Sequence, residues 1–196
     1  SFTGNMSGML ILEYILSQKK AMGILPDNGA VVTTIVSGKM SREITDDYGV
    51  KLIETLTGFK YIGEQIKFFE QNHDYEYLFG YEESYGYLVG THARDKDGVV
   101  SALLISEMAA YYYDKGMTLY EGLQEVYKKY GYYREELQSI TLKGIDGMEQ
   151  IKSIMNTFRT SNIEDIAGIK VEELKDYSKG IDNLPKSDVL KFILED

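Results

Sequence analysis

Residues 30–36 read Ala-Val-Val-Thr-Thr-Ile-Val, β-branched without a break from Val31 to Val36. Such side chains are stiff at χ1 and fit a pleated surface. The run shows no alternation of exposed and buried types, so it predicts a strand covered on both faces, in a parallel or mixed sheet. The turn Pro26-Asp27-Asn28-Gly29 leads into it. Upstream, residues 7–20 place Met9, Leu12, Ile15 and Leu16 at helical spacing, with Leu10 and Ile11 widening the apolar face. Lys19 and Lys20 suit the negative end of that helix.

Downstream, Ser37-Gly38 breaks the strand and Ser41 reads as the N-cap of a helix over residues 41–48, which Gly49 ends. Residues 50–55 predict a second strand, Thr57-Gly58 a tight loop, and residues 59–71 a helix whose apolar side carries Phe59, Ile62, Ile66 and Phe69. Residues 75–79 predict a third strand, and 85–89 a short fourth one along the edge. Residues 99–115 predict a long core helix and 119–130 another, with a turn at Gly116. Strands alternating with helices give a layered α/β domain, and ligands of such sheets gather in loops leaving the carboxyl ends of strands. A second unit begins near Glu135. There, 136–142 predicts a strand, and 147–159 a helix with Met148, Ile151, Ile154 and Met155 turned inward. Residues 169–177 predict a further strand. The tail 188–196 is apolar, and some 60 residues of this kind are marginal as an independent domain, as expected of part of a longer chain.

The chain has 196 residues, 43% hydrophobic and 27% charged, which is enough for a real core. A formal charge of −10 argues against a nucleic-acid binder, which needs a basic stripe, but leaves room for a small phosphorylated ligand. Without cysteine there are no disulfides, thiolate catalysis or zinc–thiolate sites, and a cytoplasmic protein is the expectation. No signal peptide is read at the N-terminus, and the most apolar segment falls short of a membrane span. Asn5-Met6-Ser7 matches a glycosylation sequon, read here as chance.

Chemistry concentrates in residues 79–98, FGYEESYGYLVGTHARDKDG. Its glycines let the backbone turn tightly while polar side chains converge. A carboxylate such as Glu82 accepts hydrogen bonds from vicinal sugar hydroxyls, and Ser84 can donate or accept beside it. The same residues also suit a solvated hairpin turn. Arg94 and Lys96 in a glycine-bounded loop suit a phosphate, or equally a surface charge run. His92 and His73 are read without catalytic duty. The run Tyr111-Tyr112-Tyr113 reads as packing rather than a stacking platform. No metal cage, nucleophile elbow or Walker loop is legible, so the residues by themselves support sugar-phosphate binding without catalysis.

Glu82-Glu83-Ser84-Tyr85-Gly86, followed by Arg94-Asp95-Lys96-Asp97-Gly98, resembles the sugar-recognition loop of the α-D-phosphohexomutase superfamily, in its phosphoglucomutase/phosphomannomutase family. Residues 55–60, Thr-Leu-Thr-Gly-Phe-Lys, look like the T-x-T-G-[FW]-K loop of the glucose-type branch, and Thr3-Gly4-Asn5 resembles the run opening the third domain. The resemblance implies that residues 1–134 are domain 3 and 135–196 the incomplete start of domain 4. The expected fold class is thus a three-layer α/β/α domain with a mixed sheet, followed by a partial α+β domain. It implies substrate binding by Glu82, Ser84, Thr57, Gly58, Arg94 and Lys96, with no catalytic or metal-binding residue in this chain. The parent implied is a phosphoglucomutase interconverting glucose 1-phosphate and glucose 6-phosphate through a phosphoserine and glucose 1,6-bisphosphate. Its Mg²⁺ would be held by a loop outside this chain, its partners being the hexose phosphate and the remaining domains. The serine, metal and phosphate loops of the family are missing, so the chain by itself is expected to be inactive. A mannose- or pentose-phosphate parent, and a non-catalytic binding module, remain open.

Overall fold

The computed structural model of the chain describes residues 1–195. The β-branched run becomes β1 (Gly29–Thr34), buried at every residue. It lies inside a four-stranded sheet of order β2-β1-β3-β4, completed by β2 (Lys51–Thr55), β3 (Glu76–Tyr81) and β4 (Tyr87–Val89). β2 and β3 run parallel to β1, and β4 returns antiparallel along β3, so the sheet is mixed as expected. Thr34 pairs with Thr55 and Val32 with Gly80, which brings the carboxyl ends of three parallel strands to one edge.

Side chains alternate along β1 and divide the core in two. Ala30 and Val32 pack with Tyr77 and Leu88 against Phe59, Ile62, Ile66 and Phe69 of α3 (Phe59–Asn72). Val31 joins Leu78, Phe79 and Tyr81 on the other face. That face is covered by α1 (Gly4–Ala21), α2 (Met40–Tyr48), α4 (Gly98–Asp114) and α5 (Leu119–Tyr130). The result is three layers, the expected α/β/α class.

Several local expectations are corrected. α1 begins before residue 7 because the Thr3 hydroxyl caps it, accepting from the Met6 amide at 3.1 Å. Ser41 is not an N-cap. It lies buried in the first turn of α2, hydrogen-bonded to the Tyr81 hydroxyl, which is fully buried and needs a partner. Gly49 does end that helix, in the left-handed conformation at φ 67°. α4 is not a core helix: Ser101, Met108 and Tyr112 are buried, whereas Val99, Leu103 and Tyr113 are 82%, 68% and 80% exposed. Apolar content does not reveal how many faces of a helix are covered, and α4 lies at the margin of its layer with one stripe inward.

The chain divides into two compact units, Ser1–Glu135 and residues 136 onward. The second contains α6 (Gly144–Thr160) and an antiparallel sheet of β5 (Asp165–Ile166), β6 (Ile169–Asp176) and β7 (Leu190–Leu194), in that order. Residues 136–142 form no strand, because no neighbouring strand offers them a ladder; Leu137 and Ile140 are exposed. The apolar stripe of α6 is not inward either: Met148, Ile151 and Ile154 are exposed and Met155 half-buried, since a three-stranded sheet gives one helix little cover. The apolar tail, to which periodicity assigns no element, pairs in part with β6 as β7.

Candidate functional site

β3 carries the chain to the sheet edge, where residues 82–86 turn back into β4. The Glu82 amide closes this turn on the Gly86 carbonyl at 2.9 Å, and Tyr85 accepts a strained φ of 65° within it. Glu82 is buried, and its Oε1 accepts from the Gly58 amide at 2.8 Å. Gly58 stands at the N-cap of α3 with φ 115°, a conformation that favours glycine, and supplies no side chain to cap the helix. Glu82 therefore does from a neighbouring loop what a capping side chain does locally, with its negative charge at the positive end of the helix dipole.

Glu83 faces the other way. Its Oε2 accepts from the Thr34 hydroxyl at 3.2 Å, and Thr34 Oγ1 lies 3.0 Å from Ser37 Oγ in the turn leaving β1. The Glu83 carbonyl packs on Gly4 in the first turn of α1; a Cβ there would collide with that oxygen and come within 2.9 Å of the Tyr85 amide. Tyr85 donates to the Phe2 carbonyl at 3.1 Å and Tyr87 to the Gly4 carbonyl at 3.0 Å. Four segments thus converge: the start of α1, the turn after β1, the Thr57-Gly58 loop and residues 82–86.

Of the residues singled out in the sequence, Glu82 and Gly58 are in direct contact. Thr57 is exposed beside Gly58, and Ser84 is exposed at the tip of the 82–86 turn. The stem of Lys96 runs past Gly86, and its ammonium lies 5.8 Å from the centre of the Phe59 ring, the first residue of α3. That ammonium pairs with Asp95 at 3.0 Å, and this hydrogen bond holds the Asp95 carboxyl below its ordinary value. Arg94 is directed elsewhere: its guanidinium binds Glu70 and the Thr91 carbonyl. Glu70 lies eleven residues along α3 from Phe59, roughly 17 Å at helical rise. His92 contacts Asp97, the N-cap of α4, at 2.9 Å. His73 is the left-handed C-cap of α3. Asn5 of the sequon is buried, its side-chain amide donating to the Glu135 carboxylate.

Thr34 and Ser37 were missed. The available signal was Ser37-Gly38 at the carboxyl end of the central strand, where ligand loops of parallel sheets lie. Among the described residues no group of three or more His, Asp or Glu side chains is placed to hold a metal ion. No helix among them is long and apolar enough to cross a membrane.

Residues 3–130 match the family model described as phosphoglucomutase/phosphomannomutase, alpha/beta/alpha domain III. A phosphoglucomutase of Staphylococcus haemolyticus is 34% identical over 176 residues, 90% of this chain and 31% of that protein. One from Staphylococcus epidermidis is 32% identical over 203 residues, 97% of this chain and 36% of that protein. The chain thus spans about a third of the length of these relatives. A solved structure described as a phosphomannomutase of Thermus thermophilus shares the fold, with a TM-score of 0.60 at 18% identity, covering 99% of this chain and 33% of its own.

Proposed function

The chain belongs to the phosphoglucomutase/phosphomannomutase family, and from that premise we propose that it supplies the sugar-recognition part of a phosphoglucomutase. In this reading residues 1–134 act as domain 3, residues 135–196 begin domain 4, and the ligand is a hexose phosphate. The observation that carries it is Glu82, a buried carboxylate aimed by one hydrogen bond to Gly58 while its other lone pairs keep acceptor capacity for sugar hydroxyls. Holding that oxygen beforehand spares a bound sugar the cost of ordering it. The exposed Ser84 hydroxyl joins it, and Thr57 with the Gly58 backbone forms the adjoining wall. Lys96 and Arg94 are the cations on hand for phosphate. Lys96 already stands beside Gly86. Arg94 must first leave Glu70, which is cheap because a pair exposed at both ends is worth about 0–1 kcal/mol.

Chemistry falls to the rest of such an enzyme. A phosphoserine and a Mg²⁺ ion in other domains would transfer the phosphoryl group through glucose 1,6-bisphosphate, the metal neutralising charge on the phosphoryl oxygens. The described residues of this chain offer that ion no cage. The test is glucose 1-phosphate turnover by the complete enzyme carrying Glu82→Ala. Loss of one charged hydrogen-bonding group lowers kcat/KM by about tenfold or more. Unchanged turnover abandons the site. Comparing kcat/KM on glucose, mannose and pentose phosphates then decides the substrate.

A further inference from the structure

Two adjacent glutamates flank the backbone of one loop, and only the first faces the proposed sugar pocket. The second, Glu83, is fixed twice. Its carboxylate hangs on Thr34, whose hydroxyl is knitted to Ser37, and its carbonyl rests on Gly4, where the absence of a side chain permits the approach. Thr34 is wholly buried at the end of the central strand, so this anchor belongs to the rigid sheet rather than to a mobile loop. Glu82 and Glu83 therefore pull the same turn toward two different strands, toward the loop after β2 through Gly58 and toward the turn after β1 through Thr34. Ser84 follows directly, and its direction is set by both attachments.

We infer that Glu83 is a positioning residue: through its hydrogen bond from Thr34 it fixes the 82–86 turn so that Glu82 and Ser84 meet the sugar hydroxyls in the right geometry. Glu83 itself touches no ligand. The inference rests on the sugar-recognition reading above. Its physical basis is that displacing binding groups by an ångström is costly even when the displaced residue lies outside the chemistry. A glutamine at position 83 still offers an oxygen acceptor to Thr34, whereas alanine offers none.

The test has two arms. On the 196-residue chain, amide hydrogen exchange at Gly58 reports whether Glu82 is still seated, without any ligand. Glu83→Ala is expected to speed that exchange and Glu83→Gln to leave it near the parent value. In the complete enzyme, Glu83→Ala is expected to lower kcat/KM for glucose 1-phosphate by about tenfold, mainly through KM, with Glu83→Gln restoring most of it. In a Glu82→Ala background, Glu83→Ala should cost less than it does alone, because one of the two groups it positions is gone and only Ser84 is left to be displaced. Should Glu83→Ala fail to fold, Thr34→Val removes the same hydrogen bond from the donor side and must show the same signature. Unchanged Gly58 exchange overturns the inference, as does an unchanged KM in an enzyme that Glu82→Ala impairs. If Glu82→Ala itself leaves turnover intact, the sugar-recognition reading falls instead, and the exchange arm still decides whether Glu83 seats Glu82.

Discussion

At the scale of single residues, the site is organised by atoms that are missing as much as by those present. Gly4 has no Cβ because the Glu83 carbonyl occupies its place, and Gly63 of α3 likewise admits the Arg94 carbonyl. Gly98, at the start of α4, faces open space. Gly4→Ala is therefore expected to destabilise the chain by about 1–3 kcal/mol, since two backbones must separate. Gly98→Ala is expected to be neutral or stabilising by up to about 1 kcal/mol through the unfolded state. Thermal unfolding of the two variants checks the contrast, and equal melting temperatures would refute it. Thr3-Gly4-Asn5 was legible as a motif, but the reason for the glycine was not. It depends on a loop some 80 residues away.

Elements close on caps that the sequence shows unevenly. Thr118 and Glu121 form a capping box at the start of α5, each accepting from the other's backbone amide, a pattern written locally in the chain. Thr118→Ala should cost about 1 kcal/mol in denaturant unfolding. α4 is capped by Asp97, whose Oδ1 accepts from Val99 at 2.8 Å and Val100 at 3.1 Å while Oδ2 meets His92. The His92 bond and then the backbone donors hold this carboxyl below its ordinary value of 3.8. A depressed carboxyl stabilises the fold above its ordinary value and loses that contribution as pH falls through the folded one. The stability gap between the parent and Asp97→Asn should therefore shrink on acidification from about pH 6 to about pH 3, and a gap independent of pH would contradict it. α3 has no cap of its own type, and its dependence on Glu82 could not be read from residues near Gly58.

Over the whole of the first unit, helices from distant parts of the sequence are fastened by tyrosines. The Tyr130 hydroxyl bridges Glu13 of α1 at 2.8 Å and Asp47 of α2 at 2.9 Å, and Lys129 reaches both carboxylates. Tyr130→Phe should cost about 1 kcal/mol or more, because carboxylate oxygens lose a donor. Burial, reinforced by Glu107, pushes Tyr14 up from 10.0 to about 12, and burial with the nearby Glu13 does the same for Tyr112. A raised tyrosine favours the protonated form in the folded state. Its contribution is complete below about pH 10 and fades as pH rises through the folded value. Alkaline titration followed by tyrosinate absorbance should then show a late class, Tyr14 and Tyr112 among it, that ionises with unfolding. A single wave at the ordinary value would refute this picture.

The α/β class, the central strand, most helix positions and the family were all legible in the chain alone, because β-branching, helical periodicity and short loop motifs are local properties. The same loop motifs named Glu82, Ser84, Thr57 and Gly58 together. Tertiary structure alone decided how many faces of α4 and α6 are covered, that residues 136–142 lack a strand partner, and that Arg94 turns toward Glu70. It alone joined Glu82 to Gly58 and Glu83 to Thr34 across 24 and 49 residues of sequence. Those contacts follow from strand order in the sheet, and nothing near either residue encodes which strand lies beside it.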